Sequence, residues 1–346
     1  MRILLISPSF FIPWVDYTAR ALRRLEHRVE TFPCTDLFVD RITLRRGRTL
    51  ARAIPGLTER LDRWRRQWHE LRDRRLLERV RRFRPELLLL LHGESLSKET
   101  LQALKRQAGC PLAAWWVDNP FKHPIQELFP LYDRLFIFDR SYIGPLRQTG
   151  ASDVRFLPCC CDETVYRRKE LKPAERARYA SDIALVGWCY GRRVEVARAL
   201  ADLDLKIWGK GWRTPEARRL LNGSVRRVAI EERFVRDGEA VTIYNAAKIG
   251  LNVHADQSCQ GGLNTRSFEL LASGCFQLTD AVEGMAELLE PGKEVAVYRS
   301  AGEAREMADY YLRHPEERAA MAARGQARVL RDHTYVQRMR TLLDAF

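Results

Sequence analysis

Apolar positions along this chain follow two alternating patterns. Short unbroken runs, such as Leu87–Leu91, alternate with longer stretches in which apolar residues return every three or four positions. The runs predict strands buried on both faces, and the stretches predict helices covering them. In the first half, strands are expected at Arg2–Ser7, Val29–Phe32, Leu87–Leu91, Leu112–Val117, Arg134–Phe138 and Val154–Leu157, with helices at Val15–Leu25 and near 97–107 and 141–148. A charged, proline-bearing stretch at 159–181 reads as a linker. The alternation then restarts: strand 182–187, helix 190–202, strand 205–208, helix 214–221, strand 225–230, helix 238–247, strand 249–253, helix 264–273 and strand 275–279. Helices at 300–313, 315–331 and 334–345 close the chain. The predicted class is α/β: two doubly wound, Rossmann-like domains, 1–158 and 182–333, with ligands expected in the cleft where they face one another.

Composition changes this picture little, and charge changes it in one place. The chain has 346 residues, 46% apolar and 30% charged, which suits a globular protein of two domains. No apolar run approaches the length needed to span a membrane, and the N-terminal run reads as a strand rather than a signal peptide. Eight cysteines at non-motif spacing fit reduced thiols, so a cytoplasmic location is expected. The adjacent triplet Cys159–Cys161 reads as small buried residues at a hinge. The net charge is +14, and residues 41–84 alone hold sixteen arginines against five acids, +11. Between Pro55 and Pro85 the residues Leu57, Leu61, Trp64, Trp68, Leu71, Leu76 and Val80 fall near helical spacing and predict one long amphipathic helix, 57–83. Its arginine face is either a solvated surface or a site for an anionic acceptor or the inner face of a membrane. Nucleic acid fits less well, because the arginines are confined to one element.

The candidate chemistry lies in loops that follow strands. Residues 249–280 read as strand, polar loop, helix, glycine stop and strand. The loop closes on Gly261-Gly262 and the helix opens at Asn264-Thr265-Arg266, where free N–H groups, the helix dipole and a guanidinium make an anion site. Glu269, one turn in, is placed to accept from a ribose diol. Gly187 leads into Arg192-Arg193, and Lys210 stands between Gly209 and Gly211; both loops add cations for a diphosphate. The plainer readings are a tight turn, an N-cap and solvated side chains. No Asp-x-Asp pair in these loops calls for magnesium, so neither a metal nor a cofactor is expected. The first domain has no Gly-x-Gly turn, which speaks against a nicotinamide enzyme. Its loops carry His92, Glu94 and Asp118 as candidate catalytic groups. Asp118 is either a general base or the cap of the turn at Pro120.

Several stretches resemble the GT-B glycosyltransferases, in particular the CgeB-like group. They are Trp116-Val117-Asp118-Asn119-Pro120, Leu157-Pro158, Gly187 with Arg192-Arg193, Trp208-Gly209-Lys210-Gly211-Trp212, Leu263 through Gly274, and His333-Thr334-Tyr335 with Arg338. The resemblance implies a nucleotide-sugar donor held by 182–333, an acceptor presented by 1–158, and a final helix, 334–346, packing back toward the first domain. It puts Glu269 at the ribose, and Asn264 and Arg266 at the diphosphate. Where many retaining members carry a glutamate, this chain has Gly261, and Asp118 stands where a histidine is frequent; base, sugar and stereochemistry stay open. The competing readings are a nucleotide-sugar epimerase or hydrolase of the same architecture, and a nucleic-acid-binding protein on a degenerate scaffold.

Overall fold

The computed structural model describes residues 1–8, 12–34, 57–93, 95–221, 228–255 and 261–346. The chain divides into two compact units, Met1–Leu157 with Met339–Phe346, and Pro158–Arg338. The stretch expected as a linker, 159–181, therefore belongs to the second unit.

In the first unit the strands are β1 (Arg2–Ser7), β2 (Arg28–Pro33), β3 (Leu87–Leu91), β4 (Leu112–Trp116), β5 (Arg134–Ile137) and β6 (Val154–Phe156). They form one sheet of order β2-β1-β3-β4-β5-β6, and every pairing is parallel. β3 is five leucines, all buried, as a strand covered on both faces requires. The helices are α1 (Ile12–Arg24), α2 (Leu57–Phe83), α3 (Lys98–Ala108) and α4 (Ile143–Gln148). α3 begins where the Ser97 side chain accepts from the Thr100 N–H and stops where Gly109 turns left-handed at φ 58°.

The second unit repeats the plan. Its strands are β7 (Ser181–Val186), β8 (Leu205–Trp208), β9 (Ala229–Glu231), β10 (Ala247–Asn252), β11 (Gln277–Asp280) and β12 (Ala296–Tyr298), in the order β12-β11-β10-β7-β8-β9. The pairings are again all parallel. β12 was not expected from sequence, since its three residues are too short to register as a run. Helices α5 (Pro173–Tyr179), α6 (Gly191–Ala199), α7 (Pro215–Leu220), α8 (Asp237–Ala246), α9 (Thr265–Ala272), α10 (Met285–Leu288), α11 (Ala301–Arg313) and α12 (Pro315–Asp332) follow. The chain leaves this unit within α13 (Tyr335–Leu343), whose last turns belong to the first unit. There Arg134 donates to the Ala345 carbonyl and stands over the Phe346 ring at 4.5 Å.

Both orders reverse direction once, between β1 and β3 and between β7 and β10. Such a switch point opens a crevice at the carboxyl ends of the strands, where ligands of doubly wound sheets bind.

Candidate functional site

In the second unit the loop after β7 and the loop after β8 touch main chain to main chain. A Cβ on Gly209 would lie 1.8 Å from the Gly187 carbonyl oxygen, and one on Gly187 would lie 2.2 Å from an Arg193 nitrogen. Trp212, fully buried, donates from Nε1 to that same Gly187 carbonyl at 2.9 Å. The Glu232 carboxylate receives the N–H groups of Gly211 and Arg213 at 2.9 and 2.7 Å. These contacts fix the loop that carries Lys210. The Lys210 side chain is exposed, and its ammonium group has no partner among the described residues.

The two neighbouring arginines part company. Arg192 is exposed in the first turn of α6 and reaches to 3.7 Å from Asp280 at the end of β11. Arg193 was expected at the phosphate, and its placement corrects that reading. It is buried, and its Nε and Nη2 donate to the Val253 carbonyl at 3.2 and 3.0 Å while Nη1 donates to Trp188 at 2.9 Å. Its guanidinium stands over the Tyr190 ring at 4.2 Å. Burial draws its pKa down to about 10. Arg193 is thus a strut joining the loops after β7 and β10 across the switch point. Trp188, on the first of those loops, is 60% exposed.

At the opening of α9 the Asn264 side chain accepts from the Ser267 N–H at 3.0 Å. Gly262 is buried and Thr265 half-buried beside it. Beneath this cap lies a buried polar network. Asn252 and Asn264 exchange hydrogen bonds at 3.2 and 3.1 Å, and Asn252 also donates to Ser267 Oγ at 3.0 Å. Ser267 Oγ is 3.2 Å from His254 Nε2, and His254 Nδ1 is 2.8 Å from Asp280 Oδ1. The His254 N–H donates to that same carboxylate oxygen at 2.9 Å. Sequence reasoning passed over Asn252, His254 and Asp280. The available signal was position: Asn252 ends β10, His254 follows it by two residues, and Asp280 ends β11.

Farther along α9, Arg266 is half-buried and donates from Nε to the Tyr244 hydroxyl at 3.0 Å. Burial opposes its charge, but Tyr244 and Glu269 hold its pKa above the ordinary value. The guanidinium expected at the diphosphate therefore has its Nε engaged on α8. Burial pushes the Glu269 carboxyl above its ordinary value, against the pull of Arg266. The side chains of Tyr166 and Thr265 hydrogen-bond to it, and Asp237 lies close enough to act on it.

In the first unit, His92, Asp118 and Asp139 follow the consecutive strands β3, β4 and β5. His92 was expected as a candidate catalyst, yet it is buried. Its ring lies edge-on to Trp14 at 5.2 Å and tilted to Trp116 at 5.8 Å. Its φ of 60° is the left-handed backbone a tight turn demands. Asp118 is half-buried; it accepts from the Asn119 N–H at 2.8 Å and pairs with Lys122 at 3.4 Å. Asn119 in turn accepts from Phe121 at 2.8 Å, so Asp118 has the turn-capping contact as well as a solvent-facing edge. Glu94 lies outside the described residues. Asp139, unnoticed in the sequence, is fully buried and accepts from the N–H and hydroxyl of Ser141 at 2.9 and 2.7 Å. Burial, with Asp139 and Asp118 nearby, pushes Tyr142 up to about 12. Among the described residues no group of three or more His, Cys, Asp or Glu side chains is placed to hold a metal ion.

Comparison with known proteins bears on both units. The family model described as "Glycosyl transferase-like" matches residues 192–344. The C-terminal part of this chain is thus similar to a glycosyl transferase-like domain. Beyond that domain, the chain is 24% identical over 260 residues to the spore protein CgeB of Bacillus subtilis (strain 168), covering 71% of this chain and 78% of CgeB. The CgeB likeness expected from sequence is thus present over most of the chain.

The fold is the GT-B architecture, seen in solved structures of low identity. Anabaena Alr3699/HepE in complex with UDP-glucose matches with a TM-score of 0.65 at 12% identity, over 100% of this chain and 99% of that one. A glycosyltransferase from Rickettsia africae ESF-5 matches with a TM-score of 0.68 at 10% identity, over 99% and 97%. Sucrose-phosphate synthase from Thermosynechococcus elongatus matches with a TM-score of 0.64 at 13% identity, over 100% and 98%. Among the described residues no helix is long and apolar enough to cross a membrane.

Proposed function

We propose that this chain transfers a glycosyl group from a nucleoside-diphosphate sugar to an acceptor hydroxyl, with the donor held by the second unit and no metal required. The observation that carries the reading is the grouping of cations and helix-terminal donors at strand ends on one edge of one sheet. Arg192 follows β7, Lys210 follows β8, and the capped opening of α9 follows β10. A diphosphate leaving group gains negative charge as the glycosidic bond breaks, and fixed cations and N–H dipoles stabilise that charge where it forms. Glu269, half-buried one turn inside α9, is the acceptor for a ribose diol. Asp118 is the group in the first unit with an edge open to an acceptor hydroxyl; in this reading it takes the hydroxyl proton as the new bond to the sugar carbon forms. Since HepE was crystallised with UDP-glucose, a uridine donor is the first to try.

The test is a thermal-shift and calorimetric panel of UDP, GDP, TDP and ADP and their sugars, run with a chelator present. One nucleotide should raise the midpoint in proportion to its affinity and concentration. Lys210→Ala should weaken that nucleotide about tenfold or more, the scale of a lost charge-assisted hydrogen bond, while leaving the midpoint of the free protein unchanged. A panel in which no nucleotide shifts the midpoint refutes the reading.

A further inference from the structure

α2 takes no part in the donor site, and its surface has an order of its own. At 3.6 residues per turn, Leu57, Leu61, Trp64, Trp68 and Leu71 fall on one stripe of the helix. Trp64 is 39% and Leu71 42% exposed, and the other three are half-buried. The helix meets the rest of its unit on another face. Arg72, Leu76, Val80 and Phe83 are its buried residues, and they lie roughly a quarter-turn around from the stripe. Arg72 is tied to the carbonyls of Cys34 and Ser95 at 2.9 Å each, and Asp73 accepts from Thr100 at 2.6 Å. Asp62, His69 and Asp73 line a groove shared with Ser97 and Glu99 on this body-facing side. The apolar stripe therefore lies to one side of the face packed on the described body of the unit, with Trp64 and Leu71 at its exposed edge.

Charge on α2 is sorted about the same axis. Arg60 borders the stripe, and Arg75, Arg79 and Arg82 prolong it toward the C-terminal end; all four are exposed. Glu59, Asp62, Glu70 and Asp73 lie on the opposite half of the helix beside Arg63, Arg66, Arg74 and Arg81, so that half is close to neutral, whereas the exposed charges on the stripe's half are Arg60, Arg75, Arg79 and Arg82 against Glu78 alone. An apolar stripe with tryptophan, accompanied by cations on its own half and by a near-neutral mixture on the other, is the pattern of a helix lying in the plane of a lipid interface.

We propose that α2 docks this protein on an anionic phospholipid surface. Its apolar stripe enters the boundary between headgroups and acyl chains, and the bordering arginines meet the lipid phosphates. Charge selects this occupant. A second copy packed on the same stripe would set arginine border against arginine border, whereas an anionic bilayer complements them.

The test is cosedimentation of the full chain with phosphatidylcholine vesicles, with and without phosphatidylglycerol, across a salt series. Binding should require phosphatidylglycerol and weaken as salt rises. Trp64→Ser with Leu71→Ser should reduce it tenfold or more, the order expected for losing two inserted apolar side chains. Arg60→Gln, Arg75→Gln and Arg82→Gln together should reduce it on the order of a hundredfold, at about one cation's attraction each. Equal binding to both vesicle types, no binding, or binding unchanged in both variants overturns the proposal. So does a dimer in solution that Trp64→Ser dissociates, which would make a second copy the occupant. An acrylamide-quenchable fluorescence left unchanged by Trp64→Phe overturns it too, since it would mean that the chain's own residues cover the stripe.

Discussion

Adjacent residues in this chain can have opposite fates, and Arg192 and Arg193 are the plainest case. One helical step separates them, and it turns one side chain to the surface and the other into the switch point. The glycine pair shows how tightly those loops are drawn. Gly209→Ala would put a Cβ 1.8 Å from the Gly187 main chain, and backbone cannot swing aside as a side chain can. A loss of about 3 kcal/mol in urea unfolding is expected.

His333 gives a pH dependence with a definite sign. Its Nε2 is 2.8 Å from the Leu288 carbonyl and its Nδ1 is 2.6 Å from Arg338 Nη2. These partners require the neutral ring, with Nε2 donating and Nδ1 accepting. Burial, with Arg338 beside it, pushes the pKa down to about 4. The unfolded ring takes up its proton near pH 6.5, before the folded one does, so stability is present above that pH and is lost as pH falls from 6.5 toward 4. About 3 kcal/mol is at stake. His333→Gln, which does not titrate, should flatten the urea midpoint across that window; an unchanged slope would show that other groups set it.

Elements were more legible than their surfaces. The runs at β1, β3, β4 and β7 are unbroken and apolar, so their strands and their parallel sheet could be read before any coordinates. The periodicity of α2 was equally plain, but it treated Leu57 through Val80 as one apolar face. In the folded unit only Leu76 and Val80 of that set are buried, joined by Arg72 and Phe83. Spacing specifies where residues lie around a helix and not what lies against them. The network beneath α9 was invisible for a related reason: Asn252, His254 and Asp280 come from two strand ends, while Asn264 and Ser267 come from a helix. Asn264 was expected from its N-cap position, but its second bond, to Asn252, was not. Asn264→Ala should therefore cost more than a surface cap, about 2 kcal/mol at the upper end of the usual range. It should also loosen nucleotide binding, because the helix mouth loses its anchor. Urea unfolding and nucleotide titration on the one variant check both.

At the scale of the whole chain, each unit has its own core, so unfolding need not be a single step. Met339 and Leu342, both fully buried, belong to the first unit although they follow all of the second. Leu342→Ala should lower the calorimetric transition of the first unit by the roughly 2–5 kcal/mol of a large-to-small core change. The transition of the second unit should stay where it is.

That discontinuity reaches back to biosynthesis. A ribosome works from the amino end and domains usually fold in the order they emerge, yet here residues 339–346 of the first unit leave the ribosome after all of residues 158–338. The nascent first unit must wait, lacking the segment that fills its own interior, while its neighbour is already whole.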